Sequence, residues 1–174
     1  MKIIRTIQTV AGILIALALT NVQAEEFAPY GTAKTDMHKY PVTNVVFDVN
    51  YSDPKQLNIL SVFLTKTSEA LKGKTVAVTH GPEMRVFAKE NYVKYQGIVD
   101  KLAALADKGV EFRMCNNAMR AAGFKASDMH GFVTVVPAGF PEIASLQAQG
   151  YKYINPLPLS TKGTRYLDQP QLKK

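Results

Sequence analysis

The chain contains a single cysteine, Cys115, and three histidines, His38, His80 and His130. A thiol acts as a nucleophile only as its thiolate, and a nearby histidine is the usual group that takes its proton. One cysteine excludes a disulfide framework within the chain. A lone thiol therefore has three roles open to it: packing, pairing with another molecule, or reacting. Cys115 follows a strand-like run, Val110 to Met114, and immediately precedes Asn116 and Asn117, where a helix is expected to start. At that junction unpaired backbone N–H groups and the helix dipole favour negative charge on sulfur. Arg113 and Arg120 are the nearest cations in sequence, although alternation with Phe112 directs Arg113 to the opposite side of the strand from Phe112.

His80 closes a second strand-like run, Lys74 to His80, and is expected on the same sheet edge as Cys115. His130 precedes another strand and reads more readily as an ordinary loop histidine, and His38 lies in an irregular arm. Cys115 and the three histidines are scattered without the paired spacing of zinc ligands, so no metal site is expected. The phosphate-binding glycine loops, the serine nucleophile elbow, the zinc-protease helix and the paired-cysteine redox motif do not occur. Cys115 and His80 are the candidate catalytic pair. Gly81, which with Pro82 forms a turn, joins Asn116, Asn117, Arg120 and His130 as the candidate binding set.

The elements that must position these residues follow from periodicity. Val45, Val46, Phe47 and Val49 mark a strand over 44–50. Ser52, Asp53 and Pro54 start a helix carrying Leu57, Leu60, Leu64 and Leu71, with Gly73 as its expected stop. A helical segment should follow Pro82. The stretch 91–108 places Tyr95, Ile98, Val99, Leu102, Leu105 and Ala106 on one face and stops at Gly109. A short helix through Met119 and Ala122 stops at Gly123, a strand occupies 131–136, a helix opens at Pro141 and stops at Gly150, and a last strand covers 151–155. Strands alternating with helices imply a mostly parallel five-stranded sheet covered on both faces, a three-layer α/β/α arrangement.

Lys2 and Arg5, the apolar stretch Val10 to Leu19 and small residues up to Ala24 have the three parts of a secretory signal peptide. The apolar stretch is about half the roughly 20 residues a membrane span needs. Cleavage after Ala24 is expected to release a soluble periplasmic or secreted chain without stable membrane insertion. The remaining 150 of 174 residues suit one domain, with an irregular arm over 25–43 and a basic tail over 157–174. Of the net charge of +7, two positive charges belong to the signal segment. The rest are scattered among acids, apart from Lys162, Arg165, Lys173 and Lys174 in the tail, so no nucleic-acid surface is expected.

Three segments, HGPEMRVF from His80, GVEFRMCNNAMRAAGF from Gly109 and LQAQGYKYINP from Leu146, resemble the DsrE/DsrF-like proteins in order and spacing over residues 44–156. The closer resemblance is to single-domain, poorly characterised members. It implies a three-layer α/β fold, assembly into homo-oligomers such as trimers or hexamers, and a cysteine that carries a persulfide in some members; at this position stands Cys115. Sulfur handling without a cofactor is the implied activity, with a small sulfur compound or a donor or acceptor protein as partner. The alternative is a non-catalytic oligomeric binding module with a pocket at the strand ends.

Overall fold

The structure, a computed structural model, describes residues 30–156 and 165–173. The expected signal peptide lies outside the described residues. The chain divides into two units, Met1–His38 and Lys39–Lys174. In the first, His38 pairs with Asp36. The second contains every strand described.

Five strands, β1 (Thr43–Val49), β2 (Lys72–Thr79), β3 (Val110–Cys115), β4 (Val133–Val136) and β5 (Lys152–Ile154), form one sheet in the order β4-β3-β2-β1-β5. Every pairing is parallel. The expected parallel, two-sided sheet is therefore present, and its central strands have the composition such burial demands. Val45, Val46, Phe47, Val76, Ala77 and Val78 are all buried on a backbone whose successive side chains point to opposite faces.

The helices in the second unit are α1 (Leu57–Leu71), α2 (Tyr92–Asp107), α3 (Asn116–Ala121), α4 (Gly139–Ala148) and α5 (Arg165–Asp168). Helices α1 and α2 place Leu57, Leu60, Leu64, Ile98, Val99, Leu102 and Leu105 against Val45, Phe47, Val49, Ala77, Phe112 and Met114. On the opposite face Ile143 and Leu146 of α4 pack with Val46, Val76, Val78 and Tyr151. At ~1.5–3 kcal/mol for each fully buried aliphatic side chain, the first face supplies most of the driving force. The second is a thinner layer, and it leaves room for polar residues at the sheet's carboxyl edge.

Several boundaries differ from expectation: β4 begins at Val133 rather than 131, α4 opens at Gly139 rather than Pro141, and three further differences have a clear physical cause. A 3₁₀ turn, Pro54–Gln56, precedes α1, with Asp53 Oδ1 accepting from the Lys55 N–H. Lys72 (φ 55°), not Gly73, closes α1, its N–H donating to Ser68 O. Gly73 already belongs to β2, where a Cβ would stand 2.2 Å from Thr43 O; close strand approach is what requires a glycine there. After Gly81 the expected helical segment is 3₁₀, over Pro82–Phe87.

Candidate functional site

Alternation along the strands assembles the site. On β2, Val76 and Val78 face α4, and the next residue of that series is His80. On β1 the same face carries Val46 and then Asp48; on β3 it carries Glu111, Arg113 and Cys115. The register pairs Thr79 with Met114, so His80 and Cys115 come next on adjacent strands. The His80 N–H donates to Val49 O at 3.1 Å, extending the strand ladder by one residue.

Cys115 ends β3 and is also the N-cap of α3, with extended φ/ψ of −64° and 114°. Its Sγ accepts from the Ala118 N–H at 3.4 Å. The cap expected from asparagine is thus supplied by the cysteine, because the last strand residue already has the extended backbone and outward-turned side chain that an N-cap needs. The residue is 7% exposed. Asn116 and Asn117 form the first turn of the helix behind it.

His80 is held from the other side. Its Nε2 lies 2.6 Å from Asp48 Oδ1, and the Tyr153 hydroxyl donates to Asp48 Oδ2 at 2.5 Å. An ionised carboxylate can only accept, so the Nε2 position carries the proton in this pair. The side chains of His80 and Asp48 are 9% and 13% exposed. The hydrogen bond to Asp48, then burial, pushes the Tyr153 phenol above its ordinary range. The Phe140 ring lies 4.8 Å from the His80 ring.

Gly139, the first residue of α4, closes the arrangement. A Cβ there would stand 3.1 Å from His80 Cβ and 3.3 Å from Cys115 Cβ, so the two side chains flank one small gap that the glycine leaves open. A cavity of about 250 Å³ occupies it, lined by His80, Cys115, Asn117, Ala118, Gly139 and Phe140 among others. On the far side of His80 and Ala118 lies a larger cavity of about 620 Å³, bounded by Gly81, Pro82, Met84, Arg85, Asn91 and Phe124.

Of the residues singled out in the sequence, Cys115, His80 and Asn117 meet at the smaller cavity, and Gly81 lines the larger one. Asn116 lies in the α3 first turn. Arg120 is exposed and lines neither cavity. Arg113 turns to Glu111 and Glu142, an ion-paired cluster beside the site. His130 stands elsewhere, stacked on Phe132 at 5.8 Å and edge-on to Tyr92. Burial, then the charge of Lys89, lowers its basicity.

Sequence reasoning missed Asp48, Tyr153 and Glu83. Asp48 is the one acid among the strand formers Val45 to Val49, a signal that could have found it. Glu83 is fully buried and accepts from the N–H groups of Tyr51 (2.7 Å) and Gly81 (3.0 Å) and from the Thr79 hydroxyl. It ties the ends of β1 and β2 together directly beside His80. Among the described residues no group of three His, Cys, Asp or Glu side chains is arranged to hold a metal ion.

No curated protein matches the chain. Among solved structures, the protein of unknown function MTH1491 from Methanobacterium thermoautotrophicum is 25% identical, with a TM-score of 0.58; the match covers 66% of this chain and 99% of that one. The DsrE/DsrF-like family model matches residues 44–156, the segment that contains the described sheet apart from Thr43 and every residue of the site just described. The chain belongs to the DsrE/DsrF-like family.

Proposed function

We propose that this protein is an exported sulfur carrier in which Cys115 accepts a sulfane sulfur as a persulfide and passes it on. The observation that carries the reading is the setting of one thiol: Cys115 Sγ takes the Ala118 N–H and shares a small cavity with His80. A donor of the class R–S–SH supplies the sulfur. The Cys115 thiolate attacks the outer sulfur, the donor S–S bond breaks, RS⁻ leaves and takes a proton, and a new S–S bond forms on Cys115. Discharge to an acceptor thiolate is the same step in reverse. No net electron change occurs, so neither a metal nor a second cysteine is needed.

The cavity size fits this chemistry. About 250 Å³ accommodates one or two sulfur atoms and the head of a donor, and burial of the thiol limits its over-oxidation outside the cytoplasm. Export rests on the Met1–Ala24 signal pattern, and among the described residues no helix is long and apolar enough to cross a membrane. Assembly into a homo-oligomer is proposed with it, and Phe140 beside the site, 69% exposed, would be available to a second copy.

Cyanolysis tests the reading. Protein treated with an organic persulfide and desalted should release one thiocyanate per chain with cyanide, and Cys115→Ser none; equal release from both would end it. The larger cavity favours one rival, a binding module in which Cys115 only packs. In that case Cys115→Ser leaves ligand binding intact and no sulfur is ever loaded.

A further inference from the structure

The polar cluster beside Cys115 is larger than its chemistry as a packing element explains. Asp48, His80 and Tyr153 come from β1, the end of β2 and β5, and both carboxylate oxygens of Asp48 are engaged, by His80 Nε2 at 2.6 Å and by the Tyr153 hydroxyl at 2.5 Å. Earlier positions on the same face, Val46, Val76 and Val78, are apolar and fully buried. A carboxylate 13% exposed costs desolvation that an apolar side chain at that position would avoid, and replacing such clusters by well-packed apolar residues is often neutral or stabilising. A local departure from the apolar pattern next to a candidate nucleophile is where function is expected to override stability.

We infer that Asp48 and Tyr153 are positioning residues for His80: Tyr153 holds the Asp48 carboxylate, Asp48 holds the His80 Nε2 proton, and the bare Nδ1 takes up the proton of Cys115 across the cavity that both side chains line. The inference rests on the reading of Cys115 as a reactive thiol and adds the device that activates it. The carboxylate fixes the ring in one tautomer, as only a ring whose Nε2 is protonated satisfies it, and that tautomer leaves Nδ1 as an acceptor. The proton leaves Sγ, the thiolate forms, and the resulting imidazolium is compensated by Asp48. After transfer the same proton goes to the leaving thiolate. The other charged groups near the cluster are already committed or stand apart. Arg113 is paired with Glu111 and Glu142, Glu83 accepts three hydrogen bonds at the β1 and β2 ends, and Arg85 faces the larger cavity across His80.

The test is a mutant cycle read on the full chain by the rate of Cys115 alkylation with iodoacetamide at neutral pH, beside ¹⁵N NMR of the histidine rings. His80→Ala is expected to slow alkylation roughly 10- to 100-fold, the range of a positioned general base. Asp48→Asn should slow it by at least about tenfold and Tyr153→Phe by a smaller factor, and neither should slow it by more than about twofold when added to His80→Ala. In the unaltered protein the neutral His80 ring should show the Nε2-protonated tautomer, and Asp48→Asn should lose that fixed preference. Losses that add to His80→Ala in full, or an unchanged rate in Asp48→Asn, overturn the inference and leave a structural tie between strands. If Asp48→Asn fails to fold, Tyr153→Phe carries the cycle alone, because Tyr153 is 44% exposed. Alkylation reports activation of the thiol whether or not sulfur is carried. Failure of this cycle is therefore distinguishable from failure of sulfur loading, which cyanolysis reads.

Discussion

The Ala118 N–H donates to Cys115 Sγ at 3.4 Å, so the residue proposed to carry sulfur is also the cap of the helix behind it. The two roles separate by substitution. Serine retains a capping oxygen and alanine retains nothing, and loss of an N-cap costs about 1 kcal/mol. Cys115→Ser should therefore melt close to the unaltered protein, Cys115→Ala measurably lower in a thermal unfolding scan, and both should be empty of sulfane sulfur. Equal melting of the two variants would show that the sulfur contributes no cap.

Gly139 leaves the smaller cavity open between His80 and Cys115. A methyl group there would meet His80 Cβ at 3.1 Å and Cys115 Cβ at 3.3 Å, contacts that need both neighbours to give slightly. Valine cannot be accommodated without narrowing the gap. Gly139→Val should slow Cys115 alkylation by about tenfold or more and cost about 1–3 kcal/mol in urea unfolding. An unchanged alkylation rate would mean that reagents reach the thiol by another route.

Glu83 anchors the strand ends that carry Asp48 and His80. Its removal strands the Tyr51 and Gly81 N–H groups and the Thr79 hydroxyl inside the protein. Glu83→Ala should destabilise by about 3 kcal/mol or more, since hydrogen bonds to a charged acceptor are worth ~1.5–3 kcal/mol each before any relaxation. Denaturant unfolding reads this directly. A loss under about 1 kcal/mol would contradict the anchoring role.

His130 gives the fold a pH dependence of definite sign. Burial, then Lys89, lowers its folded-state basicity below the ordinary value of 6.5, so the unfolded chain binds the proton more readily. Its contribution to stability is full above about pH 6.5 and is lost as the pH falls below that toward the lowered folded value. Melting temperatures of the unaltered protein and His130→Gln, compared above and below that pH, should diverge less on the acid side. A constant difference across the range would contradict the assignment.

Much of this arrangement was legible in the sequence because it is periodic. The β-strand runs, the leucine spacing of α1 and the glycine after α3 are local signals, and the parallel sheet follows from their alternation. Cys115 and His80 were found because each ends a strand run. Asp48 and Tyr153 were not, since their meeting depends on β5 adding beside β1 rather than beside β4, an order that no local pattern specifies. His130 was placed in the binding set from its position before a strand. Its ring instead joins Phe132 and Tyr92, a contact set by tertiary packing. The 3₁₀ geometry of Pro82–Phe87 escaped for a related reason: buried Glu83 accepting the Tyr51 and Gly81 N–H groups holds the backbone in a turn that its composition would equally allow as an α-helix.

The central claim is that Cys115 carries a sulfur atom, and intact mass spectrometry of the full chain recovered without reductant, after exposure to an organic persulfide, tests it most directly. The account predicts a species heavier by one sulfur atom that reverts on reduction and is absent in Cys115→Ser. A chain of unaltered mass, or an adduct that persists in Cys115→Ser, would contradict it.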